Sequence, residues 1–257
     1  MKFVELEEAR AATGLRIVIA GGVPSPWSQG ALGLFAMKGV EPLAARFRRA
    51  LAEELSAWTG SRNAPVVVNG DEPPRTGWAE ILALADRLGD GPPLVPADDE
   101  RRVRMFGLAH ELLGEEGLAW CVRSLLTHAS FTTEGRAGWP LPLAHYLGPK
   151  YGYAPDRAAA AKARVLSTLR LFGRLADDAR TRGDGYLLGE APTALDVYAA
   201  TTLGMIAPLA HDLCPMVAPV RHAIETLDAD VRAAVPASLL AHRDLMFERH
   251  LPLPVSL

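Results

Sequence analysis

Ser25 stands where a hydroxyl group can do chemistry, between a predicted strand over residues 15–20 and a predicted helix over residues 27–37. It directly precedes Pro26, and proline favours the first helical position while pushing the residue before it into extended geometry. Ser25 is therefore predicted to be the N-cap of this helix, with its hydroxyl beside the positive end of the helix dipole. A hydroxyl in that place can stabilise an anion, although many capping serines have only a structural role.

The other motifs in the chain do not complete a recognised catalytic or metal site. Gly21-Gly22 follows the first strand, but the GxGxxG pattern of dinucleotide-binding proteins is absent. His110-Glu111 begins like a zinc-protease helix, but Gly114 occupies the position of the second ligand. The GxSxG elbow of the α/β-hydrolases is missing as well. We therefore predict no metal site and keep Ser25 as the main candidate for chemistry.

The composition predicts a globular protein and excludes several classes. Of the 257 residues, 49% are hydrophobic and 22% are charged, which does not fit a disordered chain. Lysine plus arginine is 27 and aspartate plus glutamate is 30, so the chain lacks the basic excess of a general nucleic-acid binder. No apolar run reaches the roughly 20 residues of a membrane helix. The first fourteen residues carry three glutamates and no apolar core, unlike a secretory signal, and the two cysteines form no disulfide framework. We expect a soluble cytoplasmic protein.

The elements around Ser25 divide the chain into two parts. Residues 15–90 predict a strand, a helix, a weak strand at 43–47, a helix at 49–58, a strand at 64–68 ended by Asn69-Gly70, and a helix at 78–88. These elements favour a small sheet with helices packed on it. Residues 91–99 are predicted to be a linker, and residues 100–257 a helical domain with an ordered loop at 135–152. Residues 1–14 form an N-terminal extension, so the predicted fold class is α/β plus all-α.

Five segments occur in an order that is typical of one family. They are Ser25-Pro26-Trp27-Ser28, Asn63-Ala64-Pro65-Val66, the Asn69-Gly70 turn, Arg75-Thr76 opening a helix, and Ala191-Pro192-Thr193-Ala194-Leu195-Asp196. The chain thereby resembles the cytosolic glutathione S-transferase superfamily, in its serine-type, bacterial-like form, over roughly residues 15–250. The resemblance implies a thioredoxin-like N-terminal domain and a C-terminal helical bundle. It also implies a buried capping box, in which Thr193 caps a helix and Asp196 accepts a bond from the Thr193 backbone.

The resemblance implies that Ser25 activates the thiol of glutathione, with Ser28 as the second candidate hydroxyl. A free thiol has a pKa of about 8.5, so little of it is ionised at neutral pH. A hydroxyl donor and a helix N-terminus would both favour the thiolate. The first tyrosine is Tyr146 and the first cysteine is Cys121, which excludes the tyrosine- and cysteine-dependent variants of the family.

The resemblance also implies which residues bind glutathione. Pro65 would follow a cis peptide bond, and the backbone of Ala64 would bind the cysteinyl part of the tripeptide. Thr76 would receive the γ-glutamyl carboxylate at a helix N-terminus. Arg75 departs from the family's pattern, where an acidic or amide-bearing residue is usual, although its guanidinium could hold the carboxylate.

The remaining parts of the implied site are less closely defined. Lys38 and Arg62 are candidates for the glycine carboxylate of glutathione. The acceptor pocket is expected to come from the helix around residues 102–127. The side chains available there are Met105, Phe106, His110, Trp120 and Arg123.

The implied function is a transferase enzyme that uses glutathione as co-substrate, without a metal, to attack a small hydrophobic electrophile in detoxification. The family implies a homodimer, and the composition predicts neither nucleic acid nor membrane as partner. Two alternatives stay open. Arg75 suggests a binding or partner protein of the same fold with weak or no glutathione activity. A glutathione-dependent isomerase or dehalogenase would share the thiolate but not the net reaction.

Overall fold

The computed structural model describes all 257 residues, and its first part is a small sheet covered by helices. The strands are β1 (Phe3–Val4), β2 (Leu15–Ala20), β3 (Leu43–Phe47) and β4 (Val66–Asn69). The helices of this part are α1 (Leu6–Ala11), α2 (Pro26–Met37), α3 (Ala52–Thr59) and α4 (Trp78–Leu88). A single 3-10 turn, Arg49–Leu51, leads into α3, so the predicted helix at 49–58 divides into two pieces.

The strands lie in the order β1-β3-β2-β4. β1 and β2 both run parallel to β3, and β4 runs antiparallel to β2, with Ile17 opposite Ala44 on one side and Val67 on the other. After the predicted turn at Asn69-Gly70 the chain returns beside β4, where Arg75 and Val67 exchange two backbone hydrogen bonds of 2.9 Å. The sheet is therefore mixed, with β2 at its centre.

Consecutive side chains of β2 enter two different cores because they point to opposite faces of the sheet. Ile17 and Ile19 belong to the large core with α2, α4 and the helices that follow, whereas Val18 belongs to a small core with α1 and α3. Both faces of the central strand are covered, which accounts for its uninterrupted apolar run.

Residues 1–14 are part of the sheet architecture, which corrects their description as an extension. β1 adds a strand beside β3, with Phe3 opposite Ala44. Leu6 and Ala9 of α1 are buried in the small core. This strand was not predicted, because two residues are too few to show any periodicity.

The second part of the chain is helical. Its helices are α5 (Asp99–Leu113), α6 (Leu118–Thr132), α7 (Leu141–Lys150), α8 (Ala158–Arg182), α9 (Ala194–Thr202), α10 (Ala218–Glu225), α11 (Ala229–Ala233) and α12 (Ala237–Arg249). α7 lies in the segment predicted as an ordered loop. None of the helices is both long and apolar enough to cross a membrane.

Helix α2 joins the two parts, because it packs on α4 on one side and on α9 on the other. Two glycines permit the close approach to α9. A Cβ atom at Gly33 would lie 2.7 Å from Val197 Cγ1, and one at Gly30 would lie 2.9 Å from Tyr198 Cδ1. This contact fixes the orientation of α2 and therefore the place of Ser25 at its start.

The predicted capping box is confirmed at the start of α9. Asp196 is fully buried, and its carboxylate accepts hydrogen bonds from the Thr193 backbone N–H at 2.7 Å and the Thr193 hydroxyl at 2.9 Å. It also accepts bonds from the Leu187 backbone N–H and from His242 Nε2. Asp196 thus ties α9 to the chain before it and to α12, a structural role.

Candidate functional site

A cavity of about 380 Å³ lies where the sheet part meets the helical part. From the sheet part it is lined by Ala20, Gly21, Val23, Ser25, Phe47, Arg48, Arg49 and Ala64. From the helical part it is lined by Arg123, Trp139, Pro142, Leu143, Tyr146, Leu147, Lys150 and Tyr151. A larger cavity of about 580 Å³ lies between α6 and α8, but it contains none of the predicted catalytic or glutathione-binding residues. The smaller cavity is therefore the candidate site, and we call it the interdomain cavity.

Ser25 occupies the N-cap position of α2, as predicted, with extended backbone (φ −67°, ψ 119°) and Pro26 after it. Its carbonyl accepts the first helical bond, from the Gln29 N–H at 2.8 Å. Its hydroxyl makes no capping bond. Ser25 is 2% exposed and lines the interdomain cavity, so its hydroxyl is available to a bound molecule.

Ser28 has a different role, which the sequence did not show. It is fully buried, it does not line the cavity, and its Oγ accepts a 3.0 Å hydrogen bond from the Ala20 N–H at the end of β2. Ser28 thus joins the first turn of α2 to the end of the central strand. Of the two candidate hydroxyls, the structure places only Ser25 at the cavity.

The peptide bond between Ala64 and Pro65 is cis, as predicted. Pro65 directly precedes β4, and Ala64 lines the interdomain cavity opposite the helical part. Ser25 and Ala64, which are far apart in sequence, are therefore brought to the same cavity by β2 and β4, two neighbouring strands of the sheet.

Arg75 and Thr76 lie outside the interdomain cavity. Arg75 forms an ion pair of 2.6 Å with Glu72. The Glu72 carboxylate also forms an ion pair with Arg87 and accepts a hydrogen bond from Asn69. Hydrogen bonds from Arg87, then Asn69 and Arg75, lower the pKa of Glu72 to about 2. Binding of a ligand carboxylate by the Arg75 guanidinium, as predicted, would compete with these interactions of Glu72.

The prediction that Thr76 opens a helix is wrong, because α4 begins at Trp78 with Gly77 as its N-cap. Thr76 is exposed and belongs to a separate shallow depression beside Pro74. The Glu80 carboxylate accepts a 3.2 Å bond from the Gly77 N–H. The Gly77 N–H is thus paired with an acidic side chain of the protein, whereas the N–H groups of Trp78, Ala79 and Glu80 have no partner within the protein.

Trp78, in the first turn of α4, packs against the helical part. Its ring lies 6.0 Å from that of Phe106 and 5.8 Å from that of Tyr198, centroid to centroid. The Tyr198 hydroxyl donates a 3.2 Å hydrogen bond to the Trp78 carbonyl, and burial raises the pKa of Tyr198. The start of α4 is filled by these aromatic contacts.

Lys38 and Arg62, the candidates for the glycine carboxylate, are also absent from the cavity lining. Lys38 is buried, donates to the Gly91 carbonyl at 2.8 Å and forms an ion pair of 3.3 Å with Asp86. It therefore holds the predicted linker against α4. Arg62 pairs with Glu53 on an exposed surface.

Of the side chains expected to form an acceptor pocket, only Arg123 reaches the interdomain cavity. Met105 is buried in the core, Phe106 packs on Trp78, and His110 is exposed. Trp120 lines the larger cavity.

Helix α7 supplies most of the helical wall of the interdomain cavity, and the sequence analysis missed it. Leu143, Tyr146, Leu147 and Lys150 follow the i, i+3, i+4, i+7 spacing of a helix face. Pro142 and Pro149 concealed this signal. Pro142 lies in the first turn, where no intrahelical N–H is needed, and Pro149 lies next to the end.

No group of three or more His, Cys, Asp or Glu side chains converges as metal ligands would. The two cysteines are buried, and burial raises the pKa of Cys121 to about 11 and also raises the pKa of Cys214. Neither thiol has the lowered pKa of a catalytic cysteine.

No protein-family model and no curated protein matches the chain. Many solved structures do. A glutathione S-transferase domain-containing protein from Marinobacter aquaeolei VT8 has a TM-score of 0.62 at 18% identity, with 91% of this chain and 98% of that chain covered. A glutathione S-transferase from Methylobacillus flagellatus KT with GSH bound has a TM-score of 0.61 at 14% identity, with 91% and 95% covered.

A third neighbour, from Methylobacterium radiotolerans JCM 2831, is a glutathione S-transferase in complex with glutathione sulfonate. Its TM-score is 0.59 at 16% identity, and the alignment covers 95% of this chain and 97% of that chain. At such identities the likeness concerns the fold, and it extends over both the sheet part and the helical part. The chain therefore has the glutathione S-transferase fold, as the resemblance implied.

Proposed function

We propose that this protein is a glutathione-dependent transferase that binds the tripeptide in the interdomain cavity and ionises its thiol beside Ser25. The observation that carries the proposal is the Ser25 hydroxyl, which is unpaired within the protein, stands at the start of α2 and faces a cavity that Ala64 also lines. Two of the solved structures with this fold hold glutathione or glutathione sulfonate, which supports the choice of ligand.

The chemistry that Ser25 would perform is the stabilisation of a thiolate. Lowering a thiol pKa by about 2 units requires roughly 2.7 kcal/mol. A hydrogen bond to a charged acceptor contributes about 1.5–3 kcal/mol, and a helix N-terminus contributes about 0.3–1 kcal/mol. Ser25 and the start of α2 together supply that amount. The positively charged side chains of the cavity act in the same direction.

In the proposed reaction the thiolate attacks an electrophilic carbon of a second molecule. A carbon–sulfur bond forms, and the leaving group departs with the bonding electron pair. Ala64 contributes backbone groups that can pair with the cysteinyl backbone of the tripeptide as an added strand would. Assembly as a homodimer, a role in detoxification and a cytoplasmic location stay predictions from the resemblance.

The test compares glutathione binding and thiolate formation in three proteins. The wild type is expected to bind glutathione in calorimetry and to show the ultraviolet absorbance of bound thiolate at neutral pH. Ser25→Ala is expected to bind glutathione but to lose most of that absorbance. Ser28→Ala is the matched serine control and keeps the absorbance, because Ser28 does not reach the cavity. An unchanged absorbance in Ser25→Ala would reject the assigned role.

A second candidate function is a binding protein of the same fold with weak glutathione affinity. It is favoured by the start of α4, where Arg75 pairs with Glu72 and the Gly77 N–H pairs with the Glu80 carboxylate. Those groups cannot serve a ligand carboxylate without giving up their present partners. Calorimetry decides between the two functions, since absent or millimolar binding of glutathione supports the second.

A further inference from the structure

Four positively charged side chains line the interdomain cavity, and no carboxylate lines it. They are Arg48 and Arg49 from the sheet part and Arg123 and Lys150 from the helical part. None of the four has a carboxylate oxygen within 4.0 Å. The chain as a whole carries a net charge of −3, so this concentration does not follow from composition. The cavity holds uncompensated positive charge.

Arg123 is the most informative of the four because it is only 6% exposed. Its Nη1 donates a 2.7 Å hydrogen bond to the Tyr151 hydroxyl. Its guanidinium carbon lies 4.5 Å from the ring centroid of Trp27 and 5.2 Å from that of Tyr151. Aromatic faces offset part of the cost of burying a cation. Buried charges nevertheless normally pair with an opposite charge, and the protein provides none here.

Lys150 lies at the same end of the cavity on α7. Its ammonium donates a 2.6 Å hydrogen bond to Asn63 Oδ1, a neutral group of the sheet part. Part of the side chain is exposed, but desolvation of the ammonium, followed by the charge of Arg123, lowers the pKa of Lys150 to about 8. The negative charge of an anion bound beside the two residues would offset both effects, because it stabilises the ammonium and counters the charge of Arg123.

The rest of the helical wall is apolar. Trp139 is fully buried behind the cavity surface, and Leu143, Tyr146 and Leu147 project from two turns of α7. The volume of about 380 Å³ lies within the range of small-molecule sites. One side of the cavity thus combines an apolar surface with two cations.

We propose that the second substrate of this protein is an amphipathic carboxylate, with its apolar body on the α7 wall and its carboxylate held by Arg123 and Lys150. The proposal deepens the proposed function, because it names the class of molecule that meets the thiolate in the same cavity. The carboxylates of the tripeptide are a second source of anion for this cavity, whose other cations are Arg48 and Arg49; the Arg49 guanidinium carbon lies 4.9 Å from the ring centroid of Tyr146 on α7. A competition experiment distinguishes binding of the second substrate's carboxylate from binding of the tripeptide's carboxylates.

The experiment is a calorimetric titration with phenylacetate and with its neutral isostere phenylacetamide. Each is titrated into the protein alone and into the protein saturated with S-methylglutathione, which fills the tripeptide site without a reactive thiol. Phenylacetate is expected to bind about tenfold more tightly than the amide, since a hydrogen bond to a charged group adds at least about 1.4 kcal/mol. The preference is expected with and without S-methylglutathione.

Variants of Lys150 assign the preference to the cavity. Lys150→Met is expected to reduce the carboxylate preference to about threefold or less, and Lys150→Arg, which keeps the charge, to retain it. Lys2→Met is the control, because Lys2 is an exposed lysine near the N-terminus and its loss changes the net charge equally.

Three results would overturn the proposal. The first is equal affinity for phenylacetate and phenylacetamide. The second is a loss of the carboxylate preference in Lys2→Met that is as large as in Lys150→Met. The third is displacement of phenylacetate by S-methylglutathione. The last result would show that Arg123 and Lys150 hold the tripeptide itself. Failure of S-methylglutathione to bind would instead contradict the proposed function, while the comparison of acid and amide in the protein alone would still stand.

Discussion

The starts of α2 and α4 are both helix N-termini of the sheet part, yet their polar groups are arranged in opposite ways. At α2 the Ser25 hydroxyl has no partner in the protein and faces a cavity lined by four cations. At α4 the Gly77 N–H bonds to Glu80, and Trp78 fills the space against the helical part. An unpaired hydroxyl beside a cavity indicates a binding site, whereas the pairing of Gly77 with Glu80 and the packing of Trp78 indicate a structural contact.

The largest expected effect that tests this comparison comes from Trp78. Because its ring packs on Phe106 and Tyr198, Trp78→Ala is expected to lower the free energy of unfolding by about 2–3 kcal/mol. Glutathione affinity is expected to stay within about twofold. Chemical denaturation and calorimetry measure the two quantities.

Val103→Ala is the control for Trp78→Ala, since Val103 is 71% exposed on α5 and its truncation should change stability by less than about 0.5 kcal/mol. A strong loss of glutathione affinity in Trp78→Ala at unchanged stability would show that the start of α4 belongs to the ligand site. The distinction between a ligand-binding start of α2 and a structural start of α4 would then no longer hold.

The next effect distinguishes Ser25, the N-cap of α2, from Ser28 in its first turn by their contributions to stability. Ser28→Ala leaves the Ala20 N–H without its acceptor, so the free energy of unfolding is expected to fall by about 1–2 kcal/mol. Ser25→Ala removes no hydrogen bond within the protein and is expected to change stability by less than about 0.5 kcal/mol. Thermal unfolding of both variants gives the comparison. The reverse order would assign the structural role to Ser25.

A smaller effect follows from the charge of Lys150. Its pKa of about 8 means that the ammonium is lost as the pH rises through that value, well below the usual 10.5. The groups facing it are Asn63, which is neutral, the ring of Tyr151, whose centroid lies 5.6 Å from the ammonium, and the guanidinium of Arg123. The affinity for phenylacetate is therefore expected to fall several-fold between about pH 7 and pH 9 in the wild type. The same titrations of Lys150→Met should show little change over this range, and an equal decline there would place the titrating group elsewhere.

The smallest effect concerns Glu72 beside α4. Its folded-state pKa of about 2 lies below its ordinary 4.5, so its ion pairs stabilise the protein above about pH 4.5. That contribution is lost as the pH falls from 4.5 toward 2. The difference in melting temperature between wild type and Glu72→Gln is expected to narrow over this window. A difference that does not depend on pH would show that the pairs of Glu72 with Arg75 and Arg87 contribute no stability.

The local chemistry of Ser25-Pro26 was sufficient to predict the start of α2, whereas the cis peptide bond before Pro65 was implied by the family resemblance. The resemblance also implied the capping box of Thr193 and Asp196, a short-range pattern whose two residues lie three positions apart. These features depend on neighbours in sequence. The fold class followed from them together with the change from strand to helix periodicity.

The rest of the site depends on long-range packing, which a single sequence does not display. Ser28 and Ser25 are indistinguishable until β2 places the Ala20 N–H beside one of them. The resemblance placed Thr76 at a helix start, but α4 begins at Trp78 with Gly77 as its N-cap. Lys150 was missed because two prolines concealed α7.

The most direct test of the central claim is a pH titration of the thiol of bound glutathione, followed by thiolate absorbance in wild type and in Ser25→Ala. The cysteines of the protein do not interfere, since burial raises the pKa of both thiols. The wild type is expected to titrate about 2 units below the free thiol value of about 8.5, and Ser25→Ala close to that value. Identical titration curves for the two proteins would contradict the claim that Ser25 ionises the thiol.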